Sequence, residues 1–258
     1  MKIAIIKISG KALNELFSSD NWVMSLKKLN QSYDGLVIVH GAGKDISEWS
    51  KALGHEVKFI EGQRVTSEGI MEVVAAVQSG VLNSKIVSRL ISSGLNAAGF
   101  TGIDHGSFIA SNVNKELGFV GIPKQVKSVK WVNDLLNNKV IPVFSSVCRD
   151  AEGNLMNVNA DIFTEVLAAS LKAESVFFVS DVQGVMLKGN YQSKLGAREI
   201  LKGINEGDIT DGMIPKMNSC LDLLDKGINK VWIGSKIFED FISEKKISGG
   251  TWIVQSTI

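Results

Sequence analysis

The chain has 258 residues, 45% of them apolar and 21% charged, with a formal net charge of +1. That is enough apolar sequence to bury a sizeable core, as one large α/β domain or as two lobes sharing a sheet. The charge balance, with no dense Lys/Arg run interleaved with aromatics, gives no basis for nucleic-acid binding. Cys148 and Cys220 lie far apart with no neighbouring histidine, which excludes a readable disulfide framework or zinc site.

The apolar run at the N-terminus is interrupted by Lys7 and is not followed by a small-residue cleavage pattern. No apolar segment approaches the ~20 residues of a membrane span. The expectation is a cytoplasmic protein, without a membrane or nucleic-acid partner, acting on a small molecule.

In chain order, Lys2 to Ile8 reads as a buried strand ended by Ser9-Gly10, with a helix from Asn21 to Leu29 over it. Leu36 to His40 is a second buried strand, running into Gly41-Ala42-Gly43 and a helix from about Asp45 to Leu53. Strand, glycine turn and helix therefore occur twice. This is the pattern of a parallel sheet whose ligands bind beyond the carboxyl ends of the strands. Glycine there lets backbone N–H groups approach a phosphate, or it simply turns the chain. Gly41-Ala42-Gly43-Lys44 is neither a P-loop nor a dinucleotide fingerprint.

A hairpin about Glu61-Gly62-Gln63 projects Arg64, either as a solvated strand residue or as a bidentate carboxylate clamp. Ser67 caps a long helix reaching Ser93, with apolar positions Ile70, Val73, Val74, Val77 and Val81 and a possible bend at Gly80. A strand and a hairpin within 96–121, a helix from Val129 to Leu136, the strand Val140 to Phe144 and a hairpin about Asp150 to Gly153 follow.

That hairpin delivers Asn157-Val158-Asn159-Ala160-Asp161 to the start of a helix. Asn159 reads as its N-cap and Asp161 as a first-turn acid. The amide of Asn157 is left beside a helix end that favours anions.

The strand Ser175 to Val179 opens a second lobe, so the boundaries are 1–172 and 173–258. A polar, glycine-containing turn, 180–185, follows this strand. After a helix around Glu199 to Asn205, Pro215 suits the first turn of a helix running to Asp225. Lys216 then stands at the positive helix end, either exposed or facing an anion. A strand from Lys230 to Ile233, a short helix near Phe238 and a last strand over 249–254 close the chain.

In order, the chain carries Lys-x-x-Gly, His-Gly-x-Gly, Gly-x-Arg-Val-Thr, Leu-Gly-x-Val-Gly, Asn-x-Asn-Ala-Asp, Ser-Asp-Val-x-Gly and Asp-Gly-Met-Ile-Pro-Lys. As an ordered set running nearly end to end, these resemble the amino acid kinase family. Within it they are most similar to the branch that phosphorylates an N-acylated glutamate. The resemblance implies a three-layer α/β fold, an open, mostly parallel sheet with helices on both faces, and two lobes. The N-terminal lobe would hold the acylated amino acid and the C-terminal lobe ATP, with Mg²⁺ carried by the nucleotide and no protein-held metal. N-acetyl-L-glutamate is the default acceptor, phosphorylated on its γ-carboxylate in arginine biosynthesis. N-succinylglutamate, an acylated aminoadipate or a nucleoside monophosphate are alternatives.

Carried over by position, the resemblance implies that Lys7 and Lys216 stabilise the moving phosphoryl group and that Asp161 orients both. Ala42, Gly43, Arg64 and Asn157 would bind the acceptor. Gly10, Gly41, Asp181, Val182, Gln183, Gly184, Val185, Met186, Asp208, Ile209 and Thr210 would bind the nucleotide and its phosphates. The sequence departs from the family at Ser9-Gly10 and at Ala42, where a glycine pair and a glycine are usual. The Ala42 methyl narrows the pocket and disfavours positive φ.

A carboxylate acceptor is already ionised at neutral pH and needs no general base. His40 accordingly reads as a satisfied strand-end imidazole. The early first strand leaves no room for the N-terminal helix of arginine-inhibited hexamers. A homodimer joined through the helix beginning at Ser67, insensitive to arginine, is therefore expected. A non-catalytic ligand sensor of this fold would be expected to lack a lysine or Asp161, and all three are present.

Overall fold

The alternation that builds the fold is visible in the first strand. In the computed structural model, which describes all residues except 11, 14–16, 18–19, 211, 236–248 and 256–258, Ile3–Ile8 forms β1, buried on both faces. Ile3 and Ile5 join one apolar layer and Ala4, Ile6 and Ile8 the other, as the two-residue period of a strand requires.

One layer is closed by α1 (Asn21–Ser32) and by the long helix α3 (Glu68–Ser92). The other is closed by α4 (Lys130–Asn137), α5 (Ala160–Leu171) and α7 (Met213–Asp225). This is the expected three-layer arrangement.

The remaining strands of the main sheet are β2 (Gly35–His40), β5 (Ala97–Phe100), β8 (Ile141–Ser145), β11 (Ser175–Val179), β14 (Lys194–Gly196), β15 (Lys230–Gly234) and β16 (Gly250–Val254). Their order is β14-β16-β15-β11-β1-β2-β8-β5, and every pairing is parallel except that of β15 with β16.

β1 pairs with β2 on one side and β11 on the other, so the sheet runs unbroken across residues 172 and 173. In register, Ile8 lies beside both His40 and Val179, and His40 beside Ser145. Four strands thus end level, and the turns after them share one edge. A smaller sheet, β6 (Phe108–Asn112), β7 (Val120–Gln125), β10 (Leu155–Val158) and β9 (Cys148–Arg149), brings Asn157 to that edge.

The antiparallel pair β12 (Met186–Leu187) and β13 (Asn190–Tyr191) and the helix α6 (Ala197–Asn205) lie in the chain between β11 and α7. Some local expectations shift. The hairpin pairs only β3 (Phe59–Ile60) with β4 (Gln63–Arg64), and Glu61 and Gly62 have φ of 48° and 77°, the left-handed values a tight two-residue turn needs. Helix α2 (Gly43–Ala52) starts two residues early, with Ala42 as its N-cap. Where a bend was expected at Gly80, residues Ala75–Leu82 wind as a π-helix.

Helix α3 also corrects the membrane reading. Glu68–Ser92 is 25 residues long and has a mean hydropathy of 1.3 over its most apolar window, which is long and apolar enough for a span. Half of that window is buried inside the fold, as in a core helix. The short helix expected near Phe238 lies outside the described residues.

Candidate active site

The turns after the level strands are tied to one another through the backbone. The N–H of Ser9 donates to Val179 O at 2.9 Å, that of Gly41 to Ile8 O at 3.0 Å, and that of Ser180 to Gly234 O at 2.9 Å. The two glycine turns touch: a Cβ on Gly10 would lie 3.1 Å from the Gly43 nitrogen. A side chain at position 10 would therefore crowd the second turn, and the backbones of Gly10 and Gly43 border a shared space.

Lys7, 9% exposed near the end of β1, forms an ion pair with Asp161. Asp161 is fixed by its helix start, where the Asn159 side chain accepts its backbone N–H at 2.7 Å. The capping role of Asn159 is therefore real, and it positions the acid.

Lys216 comes from the first turn of α7, which carries no acidic residue to complement the helix dipole. Its Nζ donates to Ser180 Oγ at 3.1 Å, and that hydroxyl donates to Asp181 Oδ1 at 3.0 Å. Asp161 thus holds Lys7, whereas Lys216 is held by Ser180.

Three adjoining cavities line this edge. A central one of about 370 Å³ is bordered by Lys7, Gly10, Gly43, Asp161, Asp181 and Lys216. A second, of about 240 Å³, shares Lys7, Gly10, Gly43 and Asp161 with it and adds Gly41, Ala42, Arg64 and Asn157. A third, of about 510 Å³, is formed by 181–186 and 208–210 and meets the first at Asp181. The structure therefore gathers all the sequence-derived site residues along one edge. Gly41, however, faces the second cavity with Arg64 and does not line the first. The Val185 side chain is fully buried and its N–H is bound by Thr251 Oγ1 at 2.8 Å.

Arg64 is not a solvated strand residue, being only 7% exposed. One terminal nitrogen, NH2, donates to Gly43 O at 2.8 Å and to Ser47 Oγ at 2.7 Å, and the guanidinium lies 4.8 Å from the centre of the Phe59 ring. The other, NH1, is buried with no hydrogen-bond partner. Burial lowers the Arg64 pKa, but a guanidinium stays charged in proteins. An unpaired buried donor on a cation is the binding half of a carboxylate or phosphate contact. Asn157 Nδ2 donates to Thr66 Oγ1 at 3.0 Å, which in turn donates to Arg64 O at 2.8 Å.

His40 is fully buried, and desolvation pushes its pKa down to about 4. Its Nε2 lies 3.1 Å from Asn83 Nδ2 and its Nδ1 3.4 Å from Gly41 O. Since the amide nitrogen can only donate, Nε2 accepts and the proton sits on Nδ1. The imidazole is neutral and structural, as the sequence suggests.

Sequence reasoning missed Ser47, Thr66, Gln78 and Ser180. Thr66 and Ser180 sit inside motifs that had been read for other residues. Gln78 was detectable as a polar residue interrupting an apolar helical stripe.

Paired lysines, a carboxylate and backbone donors around one cavity define an anion-binding site of the kind that handles phosphoryl groups. The chain belongs to the amino acid kinase family, whose family model matches residues 2–235. Among its relatives, the acetylglutamate kinase of Bacillus subtilis (strain 168) is 36% identical over 233 residues, covering 90% of this chain and 89% of that protein. The crystal structure of smu.665 from Streptococcus mutans UA159 superposes with a TM-score of 0.85 at 27% identity, covering 98% of this chain and 99% of that one. A carbamate kinase from Giardia lamblia bound to AMP-PNP shares the fold with a TM-score of 0.68, at 14% identity and 99% coverage of both chains.

Proposed function

We infer that this chain is an ATP-dependent kinase that phosphorylates the γ-carboxylate of N-acetyl-L-glutamate, giving the acyl phosphate used in arginine biosynthesis. The family match and the run of acetylglutamate kinases at about 35% identity over most of the chain support this activity. The structural observation that carries the mechanism is that the central and second cavities share Lys7, Gly10, Gly43 and Asp161.

In this reading the acceptor lies in the second cavity, with its α-carboxylate on the Arg64 guanidinium and the Asn157 amide. Its side-chain carboxylate reaches the shared wall. The carboxylate oxygen is ionised at neutral pH and attacks the γ-phosphorus of ATP directly, so no base is needed. Lys7, held in place by Asp161, and Lys216, held by Ser180, neutralise the charge spread over the transferring oxygens. Gly10 and Gly43 offer backbone donors, and ADP leaves along the central cavity.

The nucleoside occupies the third cavity, where Met186, Tyr191 and Met213 supply apolar and aromatic surface for a base. Mg²⁺ carried by the nucleotide would neutralise its β- and γ-phosphates. The carboxylates of Asp161 and Asp181 on the central cavity fit such a charged complex. The two-lobe division at residue 172 follows the same split between acceptor and nucleotide.

We further propose a cytoplasmic homodimer joined through α3. What supports the interface is that residues 73–84 carry no charged side chain and include the exposed Ala76 and Gly80. A light-scattering mass of a monomer or a hexamer would contradict it.

The activity is tested by an ATP-dependent hydroxylamine trap with N-acetyl-L-glutamate, N-succinyl-L-glutamate, L-glutamate and UMP in parallel. Hydroxamate from N-acetyl-L-glutamate is the expected result. ADP formed with UMP, and no hydroxamate from any acid, would overturn the carboxylate-kinase reading.

A further inference from the structure

Residues Ala75–Leu82 of α3 form a π-helix, in which residues five apart share a face. Gln78 lies within it and Asn83 follows it directly, and both reach His40, Gln78 at its carbonyl and Asn83 at its imidazole. Gln78 is 3% exposed, an amide placed among apolar positions, and such a group is costly unless it is bonded.

Its Nε2 donates to His40 O at 3.1 Å and to Ser146 Oγ at 3.0 Å. The Ser146 hydroxyl is itself committed as a donor to Val158 O at 2.6 Å. Both partners of Nε2 are therefore acceptors, which fixes the orientation of the amide and spends both its N–H groups. What remains is Oε1. Neither bond uses it, and it is not among the described buried atoms sealed away without a partner. Gln78 lines the second cavity, with Arg64 and Asn157. The cavity floor thus presents one oriented carbonyl oxygen that needs a donor.

An N-acylated glutamate has only one donor to offer at neutral pH. Its two carboxylates and its acyl carbonyl are acceptors, and its amide N–H is the exception. Resting on the acceptor assignment above, we propose that Gln78 Oε1 accepts the amide N–H of the acylated amino acid. This makes Gln78 a specificity-determining residue that selects acylamino acceptors over acyloxy or unsubstituted dicarboxylates. A site holding a buried, oriented acceptor rejects an isostere without the hydrogen, because the oxygen is then left unpaired against a second lone pair.

The test compares kcat/KM for N-acetyl-L-glutamate with that for its ester isostere, L-2-acetoxyglutarate, in which oxygen replaces N–H. The wild-type protein is expected to favour the amide by about 10- to 100-fold, the cost of one unpaired buried acceptor. In Gln78→Leu, and in Gln78→Met as a flexible variant of similar length, that ratio is expected to fall below about 3-fold, whatever the change in absolute rate. Because the ratio is taken within one protein, a general loss of activity cancels.

A wild-type ratio near one overturns the proposal even if neither variant folds. So does a large ratio that persists in a folded variant, which would assign the N–H to Asn157 Oδ1. Failure of the wild type to phosphorylate N-acetyl-L-glutamate at all would be a failure of the kinase reading. In that case the same ratio, read from calorimetric binding of the two compounds, still decides the role of Gln78.

Discussion

Lys7 and Asp161 form an ion pair in the wall common to the central cavity and the one lined by Arg64, with side-chain exposures of 11% and 27%. A pair so largely withdrawn from water cannot lose one member without leaving the other uncompensated. Asp161→Asn keeps the helix-start geometry but frees Lys7 from its anchor. The kcat is expected to fall by about 10²-fold, with KM for either substrate changed far less, because the loss is of transition-state positioning. A steady-state comparison of kcat and KM checks this.

Lys216 is held by a neutral hydroxyl and has little structural work to do. Lys216→Ala is expected to lower kcat by ~10²-fold or more with little change in melting temperature, by analogy with removing one preorganised donor. Near-normal turnover would remove Lys216 from the mechanism.

Arg64 ties the hairpin to α2 through NH2 and borders the second cavity, with NH1 buried and unpaired. Arg64→Lys retains a cation but not the fork. KM for N-acetyl-L-glutamate is expected to rise by about 10- to 100-fold, the cost of a lost charge-assisted hydrogen bond, while KM for ATP stays within about 2-fold. Equal increases for both substrates would place Arg64 elsewhere.

His40 makes stability depend on pH. Its folded pKa of about 4 lies below the ordinary 6.5 because burial disfavours the cation, so the unfolded chain binds the proton more readily between those values. This contribution is present above pH 6.5 and is lost as pH falls toward 4, amounting to roughly 2 kcal/mol between pH 7 and pH 5. Urea unfolding at the two pH values should show that loss in the wild type and a smaller one, by about that amount, in His40→Gln.

Ala42 tests how much a departure from the usual glycine matters. Its φ is negative, at −149°, so the position does not call for the left-handed freedom of glycine, and its N–H remains a donor. Ala42→Gly is therefore expected to change kcat/KM by less than about 3-fold. A gain of tenfold or more on mutation would mean that the methyl obstructs the acceptor.

Much of this arrangement is legible in the chain because it depends on local chemistry. The continuous apolar runs of β1, β2, β8 and β11 specify a parallel sheet, and the turns after them fix which edge binds ligands. Asn159 and Pro215 mark helix starts, and so place Asp161 and Lys216.

What could not be read were contacts set by register between distant segments. The Ser180 hydroxyl lies beside Lys216 only because β11 and β15 align and α7 packs over them. Ser47 meets Arg64 across a helix and a hairpin 17 residues apart. The π-helix is the clearest case. Gly80 signals a disturbance, but nothing in the local sequence shows that Gln78 and Asn83 both find partners on His40.

In the proposed mechanism the phosphoryl group passes in one step across the Lys7–Asp161 wall, from the central cavity to the acceptor, with no side chain taking it up. Stereochemistry at phosphorus tests this most directly. With ATP made chiral at the γ-position by sulfur and oxygen isotopes, one in-line displacement gives inversion of configuration in the acyl thiophosphate. Retention would require two displacements through a phosphorylated residue, and would contradict it.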